Sequence, residues 1–252
     1  MSAPIETKLD NGVTVLYEKV PGVKVVSVQC WIKTGSVNEN DKLSGISHFL
    51  EHMLFNGTKK FKPGEIDEYL DAKGGYNNAF TSLDVTNYYV TIPTDEAEAA
   101  YEVVSDMVFN ALLLQSEIDR EKPVVLQEIN RKYDDPSYKM WQDLQATLFE
   151  GTPYARQVIG SSETVSAFTR QEIVDYYNKV LDIMRKIKIL PDKVLCDKIS
   201  GVNDYVELMV TNYKKKDKRQ GRLDRLNNIR RSFEENEIHS NIDSVISDYK
   251  KL

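Results

Sequence analysis

The pattern of apolar and polar positions predicts a strand-rich N-terminal region. Asp10-Asn11-Gly12 is a tight-turn sequence between residues 7–9 and the apolar-rich residues 13–17, so these two segments predict a β-hairpin. A third stretch is rich in β-branched residues and bounded by glycines, and two more follow before residue 94. The predicted strands span residues 7–9, 13–17, 23–34, 76–82 and 86–93.

Helical spacing of apolar residues fills most of the remaining chain up to about residue 184. Leu, Phe and Met recur along residues 44–55 at the spacing of a buried helix. Pro123 interrupts a later helical pattern, where it predicts a kink or the first turn of a helix. The further predicted helices span residues 63–73, 116–133, 137–150 and 168–184, and another begins at Asp95 with Tyr101, Val104, Met107 and Val108 on one face. Strands, helices, strands and then several helices predict an α+β fold, with a mostly antiparallel sheet packed against the helices.

The chain changes character after residue 180. Residues 1–180 carry 17 Lys and Arg against 27 Asp and Glu, whereas residues 181–252 carry 16 against 12. The charged run at 214–219 is typical of a solvated face, and helically spaced apolar residues at 223–233 and 238–249 predict two amphipathic helices. We therefore predict an acidic α+β domain over 1–180 and a basic helical tail over 181–252. The acidic domain argues against nucleic-acid binding, which stays open for the tail.

Composition indicates the class of the protein and the compartment in which we expect it. Of its 252 residues, 41% are hydrophobic and 29% are charged, which is typical of a globular chain. No apolar run approaches the roughly 18 residues of a membrane helix, and the N-terminal residues lack the pattern of a secretory signal. Two cysteines, Cys30 and Cys196, are too few to indicate a disulfide framework. We expect a cytoplasmic protein without a membrane partner.

Two of the three histidines lie four residues apart, in His48-Phe49-Leu50-Glu51-His52. On a helix, this spacing places both imidazoles on one face, where they can reach a single Zn²⁺ ion. Glu51 lies beside them and is placed to act as a general base toward water. The alternative is that both histidines are satisfied by hydrogen bonds in the core. Two ligands do not make a catalytic zinc site, so a third must come from elsewhere in the chain.

The motif and its surroundings resemble the family of pitrilysin, insulin-degrading enzyme and mitochondrial processing peptidase. His48–His52 reads as H-x-x-E-H, the inverted zincin motif. Similar segments follow in family order over about residues 5–180: KLDNGVTVLYEKVPG, GISHFLEHMLFNGTKKF, GGYNNAFTS, TNYY, EIDRE, VVLQEI, YDDP and GTPY. The resemblance ends at about residue 181, where the apolar strand of the family is absent and only residues 186–190 offer a short substitute.

The resemblance implies a role for individual residues. His48, His52 and Glu128 would bind zinc, and Glu51 would be the general base. Glu121 lies two helical turns before Glu128 and would support the site from the same side, although a surface glutamate is the simpler alternative. Asn78 and Ala79 match the substrate-binding strand of the family, and the alternative is that they are ordinary strand and turn residues. Phe80 is as consistent with the core as with a substrate pocket.

The sequence therefore predicts a zinc metalloendopeptidase that hydrolyses unfolded peptides bound as an added strand. The family resemblance also implies a second domain that closes a peptide chamber, and this chain carries only the first. Three explanations are open. A partner subunit or a second copy of the chain would complete the chamber, or the tail at 181–252 would take the place of the second domain. In the third explanation, the chain is a truncated or rearranged product. The alternative function is a non-catalytic or truncated zinc-binding subunit that needs a partner domain.

Overall fold

A six-stranded sheet organises the chain, for which the computed structural model describes residues 5–8, 14–18, 20–185 and 207–211. Neighbouring strands lie in the order β1-β2-β6-β3-β5-β4. All neighbours pair antiparallel except β3 and β6, which pair in parallel. The strands are β1 (Ile5–Lys8), β2 (Thr14–Tyr17), β3 (Val25–Ile32), β4 (Tyr76–Thr81), β5 (Thr86–Pro93) and β6 (Glu207–Thr211).

Helices pack against one face of this sheet. Successive strand residues alternate between faces, so the buried apolar residues of β3 point to the helices while Trp31 points away. The described helices are α1 (Ile46–Leu54), α2 (Glu65–Asp71), α3 (Ala97–Asn110), α4 (Gln115–Tyr133), α5 (Pro136–Leu148), α6 (Ser162–Ala167) and α7 (Arg170–Arg185). This architecture confirms the predicted α+β class.

The observed helices differ from the predicted ones in two details. α4 runs without a break from Gln115 to Tyr133, so Pro123 lies inside the helix and does not mark a first turn. α6 was not predicted, because six residues are too few to show a helical period, although a capping box on Ser161 marks its start. Within the described residues, no helix combines the length and the apolar character that crossing a membrane requires.

The segment after residue 180 contributes more to the sheet than its sequence predicted. α7 continues to Arg185, and β6 lies between β2 and β3 although it comes last in the sequence. This strand was not foreseen, because pairing over such a sequence distance leaves no local pattern. The possible strand at 186–190 and the amphipathic helices at 223–233 and 238–249 lie outside the described residues, and the boundary after residue 180 stays a prediction.

The N-terminus of α1 is fixed by a buried carboxylate and by a close contact between two glycines. Glu39 accepts hydrogen bonds from the backbone N–H groups of Gly45 and Ser47, each at 2.8 Å. Gly45 and Gly160 both have positive φ, at 92° and 76°. A Cβ atom at Gly160 would lie 2.4 Å from the carbonyl oxygen of Ser44 and 2.8 Å from the Cα of Gly45. The backbone therefore needs glycine at this contact.

We expect Gly160→Ala to lower the free energy of unfolding by about 1–3 kcal/mol, through the clash and the positive φ together. Gly151→Ala is the matched control, because Gly151 has a φ of 72° and nothing lies within 4 Å of a Cβ built there. Urea denaturation of both variants separates the clash from the backbone strain. Equal losses in the two variants would show that the contact with Gly45 contributes nothing.

Candidate metal centre

Three side chains from two helices converge at one point. α1 presents His48 and His52, and α4 presents Glu128. The Nε2 atoms of the two histidines lie 3.6 Å and 3.5 Å from Oε2 of Glu128. Two ligands each about 2.1 Å from a tetrahedral zinc ion lie about 3.4 Å apart, so the donor set and its spacing fit zinc. Among the described residues, these three form the group of His, Cys, Asp and Glu side chains that could hold a metal ion.

The two histidines differ in their protonation. Burial, helped by the nearby His52, lowers the pKa of His48 to about 4, so this imidazole is neutral at pH 7. Burial also lowers the pKa of His52, but hydrogen bonds to Glu121 and Glu128 outweigh it and raise that pKa to about 9. Without metal, His52 is therefore the cation between two carboxylates.

The two histidines also differ in the hydrogen bonding of their Nδ1 atoms. Oε1 of Glu121 lies 2.9 Å from Nδ1 of His52, and this contact leaves the Nε2 of that ring directed at Glu128. Nδ1 of His48 is buried and has no hydrogen-bond partner among the described residues. His48 is oriented by its packing in α1, where it is only 8% exposed.

Lys132 holds the other oxygen of Glu128. It lies one turn further along α4, and its Nζ is 3.0 Å from Oε1 of Glu128, which leaves Oε2 facing the histidines. The hydrogen bond with His52 contributes most to lowering the pKa of Glu128, which falls to about 2. Glu128 is therefore an ionised carboxylate, as a metal ligand must be.

Glu51 lies on α1 between the two histidines in sequence and is buried. Burial raises the pKa of its carboxyl, and a hydrogen bond from Thr81 works in the opposite direction. The Thr81 hydroxyl donates that bond to Oε2 of Glu51, which ties the carboxylate to the end of β4. Desolvation of this kind is typical of a carboxylate that takes up and releases a proton during a reaction.

β4 is the last strand of the sheet and pairs with β5 on one side. Its side chains alternate, so that Asn77, Ala79 and Thr81 are more buried than their neighbours. Phe80 is 42% exposed and meets the edge of Trp31, with ring centroids 5.4 Å apart. Phe80 therefore lies outside the core, which leaves a surface or substrate-pocket role.

The structure brings together the predicted metal-site residues and adds Thr81, Asn56 and Lys132. Glu121 and Glu128 both reach His52, as their spacing of two turns along one helix implies. Sequence reasoning missed Thr81, which the strand alternation places on the same face as Ala79, and Asn56, which lies four residues after His52 just beyond α1. Asn78, Ala79 and Phe80 lie on β4, as expected, but their roles stay predictions.

Relatives of the chain are zinc proteases by name. An "uncharacterized zinc protease" of Rickettsia felis is 34% identical over 173 residues, which are 69% of this chain and 42% of the relative. Another, ML0855 of Mycobacterium leprae, is 37% identical over 171 residues, or 68% of this chain and 38% of the relative. A solved protease from Helicobacter pylori matches with a TM-score of 0.68 at 25% identity, over 84% of this chain and 47% of the other. The fold and the site thus define a domain of the zinc-protease class.

The sequence model of one family, described as insulinase (peptidase family M16), matches residues 14–162. The chain belongs to this family, which confirms the resemblance to the pitrilysin group and the predicted zinc cofactor. The chain spans less than half the length of the curated relatives it matches.

Proposed function

We propose that this chain is the catalytic part of a zinc-dependent endopeptidase that hydrolyses unfolded peptides. The observation that carries the proposal is the convergence of His48, His52 and Glu128 next to a buried carboxylate, Glu51. Three protein ligands leave one tetrahedral position open, which is the arrangement of a catalytic zinc site and not of a structural one. Family membership supports the same reading.

In the proposed reaction, Glu51 moves the proton. A zinc ion bound by these ligands would lower the pKa of water and polarise the scissile carbonyl. Glu51 accepts a proton as the water oxygen bonds to the carbonyl carbon, and it passes that proton to the nitrogen as the C–N bond breaks. Thr81 keeps one carboxylate oxygen of Glu51 occupied, so the other is left for the proton. The water is thereby divided between the new carboxyl and amine.

The substrate proposal rests on the position of β4. An extended peptide that adds to the free edge of a sheet is held by main-chain hydrogen bonds, which tolerate many side chains. β4 occupies that edge in the described part of the chain, and Thr81 connects its end to Glu51. Asn78, Ala79 and Phe80 would line the bound peptide. An unfolded peptide has no other partner for its main-chain groups and can extend along the whole edge, so we propose unfolded peptides as substrates.

The second candidate is a zinc-binding subunit that cleaves nothing until a second domain, from a partner or another copy, completes the site. The observation that favours it is length, because the chain covers only 42% and 38% of the Rickettsia felis and Mycobacterium leprae zinc proteases. Under this proposal, His48, His52 and Glu128 still bind zinc and Glu51 is still the general base.

One assay separates the two candidates. The purified chain is incubated with a quenched unstructured peptide, with and without o-phenanthroline, and its zinc content is measured in parallel. Cleavage that the chelator stops, with one zinc per chain, supports the endopeptidase. One zinc per chain without chelator-sensitive cleavage supports the incomplete subunit, and a chain that binds no zinc contradicts both.

We further expect zinc affinity to rise about tenfold per pH unit between pH 7 and pH 9, and to level off above that range. The reason is that zinc binds the neutral imidazole, and the pKa of His52 is about 9 in the metal-free site. The lowered pKa of His48, about 4, adds nothing in this range. Titration with a zinc-buffering chelator at each pH measures the slope. An affinity that stays flat from pH 7 to pH 9 would contradict this protonation of His52.

A further inference from the structure

Asn56 connects the end of α1 to the carboxylate that holds His52. It lies two residues beyond the helix, and its Nδ2 is 2.9 Å from Oε2 of Glu121 and 3.2 Å from the backbone oxygen of His52. Its Oδ1 accepts a hydrogen bond from Arg120 at 3.1 Å. One amide group thus contacts both helices of the candidate metal centre.

The orientation of this amide follows from its partners. Nδ2 faces two oxygens, which can only accept, and Oδ1 faces a guanidinium, which can only donate. A reversed amide would place oxygen against oxygen and nitrogen against a cation. The carbonyl oxygen of His52 lies in the last turn of α1, where it also accepts a backbone hydrogen bond from Phe55 at 3.3 Å, and the amide of Asn56 adds a second donor to it.

Glu121 divides its two oxygens between His52 and Asn56. Oε1 lies at Nδ1 of His52, 2.9 Å away, while Oε2 accepts from Asn56 at the same distance. The hydrogen bond from Asn56 therefore limits rotation of the carboxylate about its last bond. Rotation of Glu121 would release the His52 ring, whose Nε2 faces Glu128.

We propose that Asn56 is a positioning residue for the metal centre, which acts on His52 through Glu121. The proposal rests on the proposed function only in taking His52 as a zinc ligand, and it does not depend on peptidase activity. Partners behind metal ligands change metal affinity by roughly 10–100-fold when they are lost. Asn56 is one hydrogen bond further from the metal than Glu121 is, so we expect a loss of affinity at the lower end of that range.

The test compares Asn56→Leu and Asn56→Asp with the unchanged chain. Asn56→Leu removes the amide at similar size, and we expect zinc to bind about tenfold more weakly. Asn56→Asp keeps the shape but places a second carboxylate against Glu121, and we expect a loss at least as large. Gln171→Leu is the matched control, because it removes an exposed amide-to-carboxylate bond, the 2.8 Å contact with Asp175 on α7. Urea midpoints of the metal-free proteins show whether each variant is folded.

A second measurement tests, in metal-free protein, whether Asn56 positions the His52 ring. In ¹⁵N-labelled metal-free protein, the proton on Nδ1 of His52 is expected to give a protected NMR signal in the unchanged chain and in Gln171→Leu. The signal should exchange faster with water in both Asn56 variants. Unchanged zinc affinity in folded Asn56 variants would overturn the proposal, and so would weaker zinc binding with an unchanged His52 signal. A chain that binds no zinc refutes the proposed metal site, while the NMR comparison still decides whether Asn56 positions His52.

Discussion

Replacing His48 with alanine will abolish stoichiometric zinc binding by the chain. The site has three protein ligands, and His48 supplies one of the two nitrogens that lie about 3.5 Å from Glu128. With two ligands left, dialysis against a weak chelator should reduce the metal from about one zinc per chain to below about a tenth. Metal analysis by mass spectrometry gives the ratio directly. Glu128→Ala should behave in the same way.

The control for this experiment is the third histidine of the chain. His239 lies far from the H-x-x-E-H motif in sequence, and we expect His239→Ala to keep one zinc per chain. If His48→Ala is folded and still holds one zinc, its role as a ligand is wrong. If His239→Ala loses zinc to the same extent, the metal does not bind where we place it.

Replacing Glu51 with glutamine will leave zinc in place and remove cleavage. Glutamine has the shape of glutamate and can still accept the Thr81 hydrogen bond, but it cannot take a proton from water. Loss of a general base lowers kcat by about 10²–10⁴-fold, and we expect KM to change little because Glu51 is not part of the β4 edge. Steady-state kinetics on the quenched peptide, together with zinc content, provide both values.

Glu172→Gln is the corresponding control for charge. Glu172 is a carboxylate on α7 that pairs with Lys42 at 2.6 Å, away from the metal ligands. Its replacement should leave kcat within about twofold of the unchanged chain. An active Glu51→Gln would refute the general-base role. A Glu51→Gln variant that loses zinc would make Glu51 a ligand.

Local sequence patterns predicted the elements that carry the site. The helix expected at 44–55 is observed as Ile46–Leu54, and the strands expected at 76–82 and 86–93 are observed as Tyr76–Thr81 and Thr86–Pro93. These succeeded because each has a clear period that burial of one face enforces. The spacing of His48 and His52 fixed their common face for the same reason.

Local sequence patterns could not predict contacts between segments that are distant in the chain. Nothing in the spacing of residues brings Glu128 to His48 across 80 positions, and only the family resemblance suggested it. β6 shows the same limit, because its partners β2 and β3 lie far away in sequence. Asn56 was missed because its partners are a backbone oxygen of α1 and two side chains of α4, and such contacts leave no sequence pattern.

The free edge of β4 also has a consequence for how the chain behaves in concentrated solution. In the described part of the chain, this edge pairs with nothing beyond β5, and unpaired strand edges join readily with any extended segment. A second copy of the chain can therefore compete with a peptide for the same hydrogen bonds. We expect self-association to increase with concentration, and added peptide to reverse it. Storage at high concentration would then favour aggregates that dilution into excess peptide dissolves.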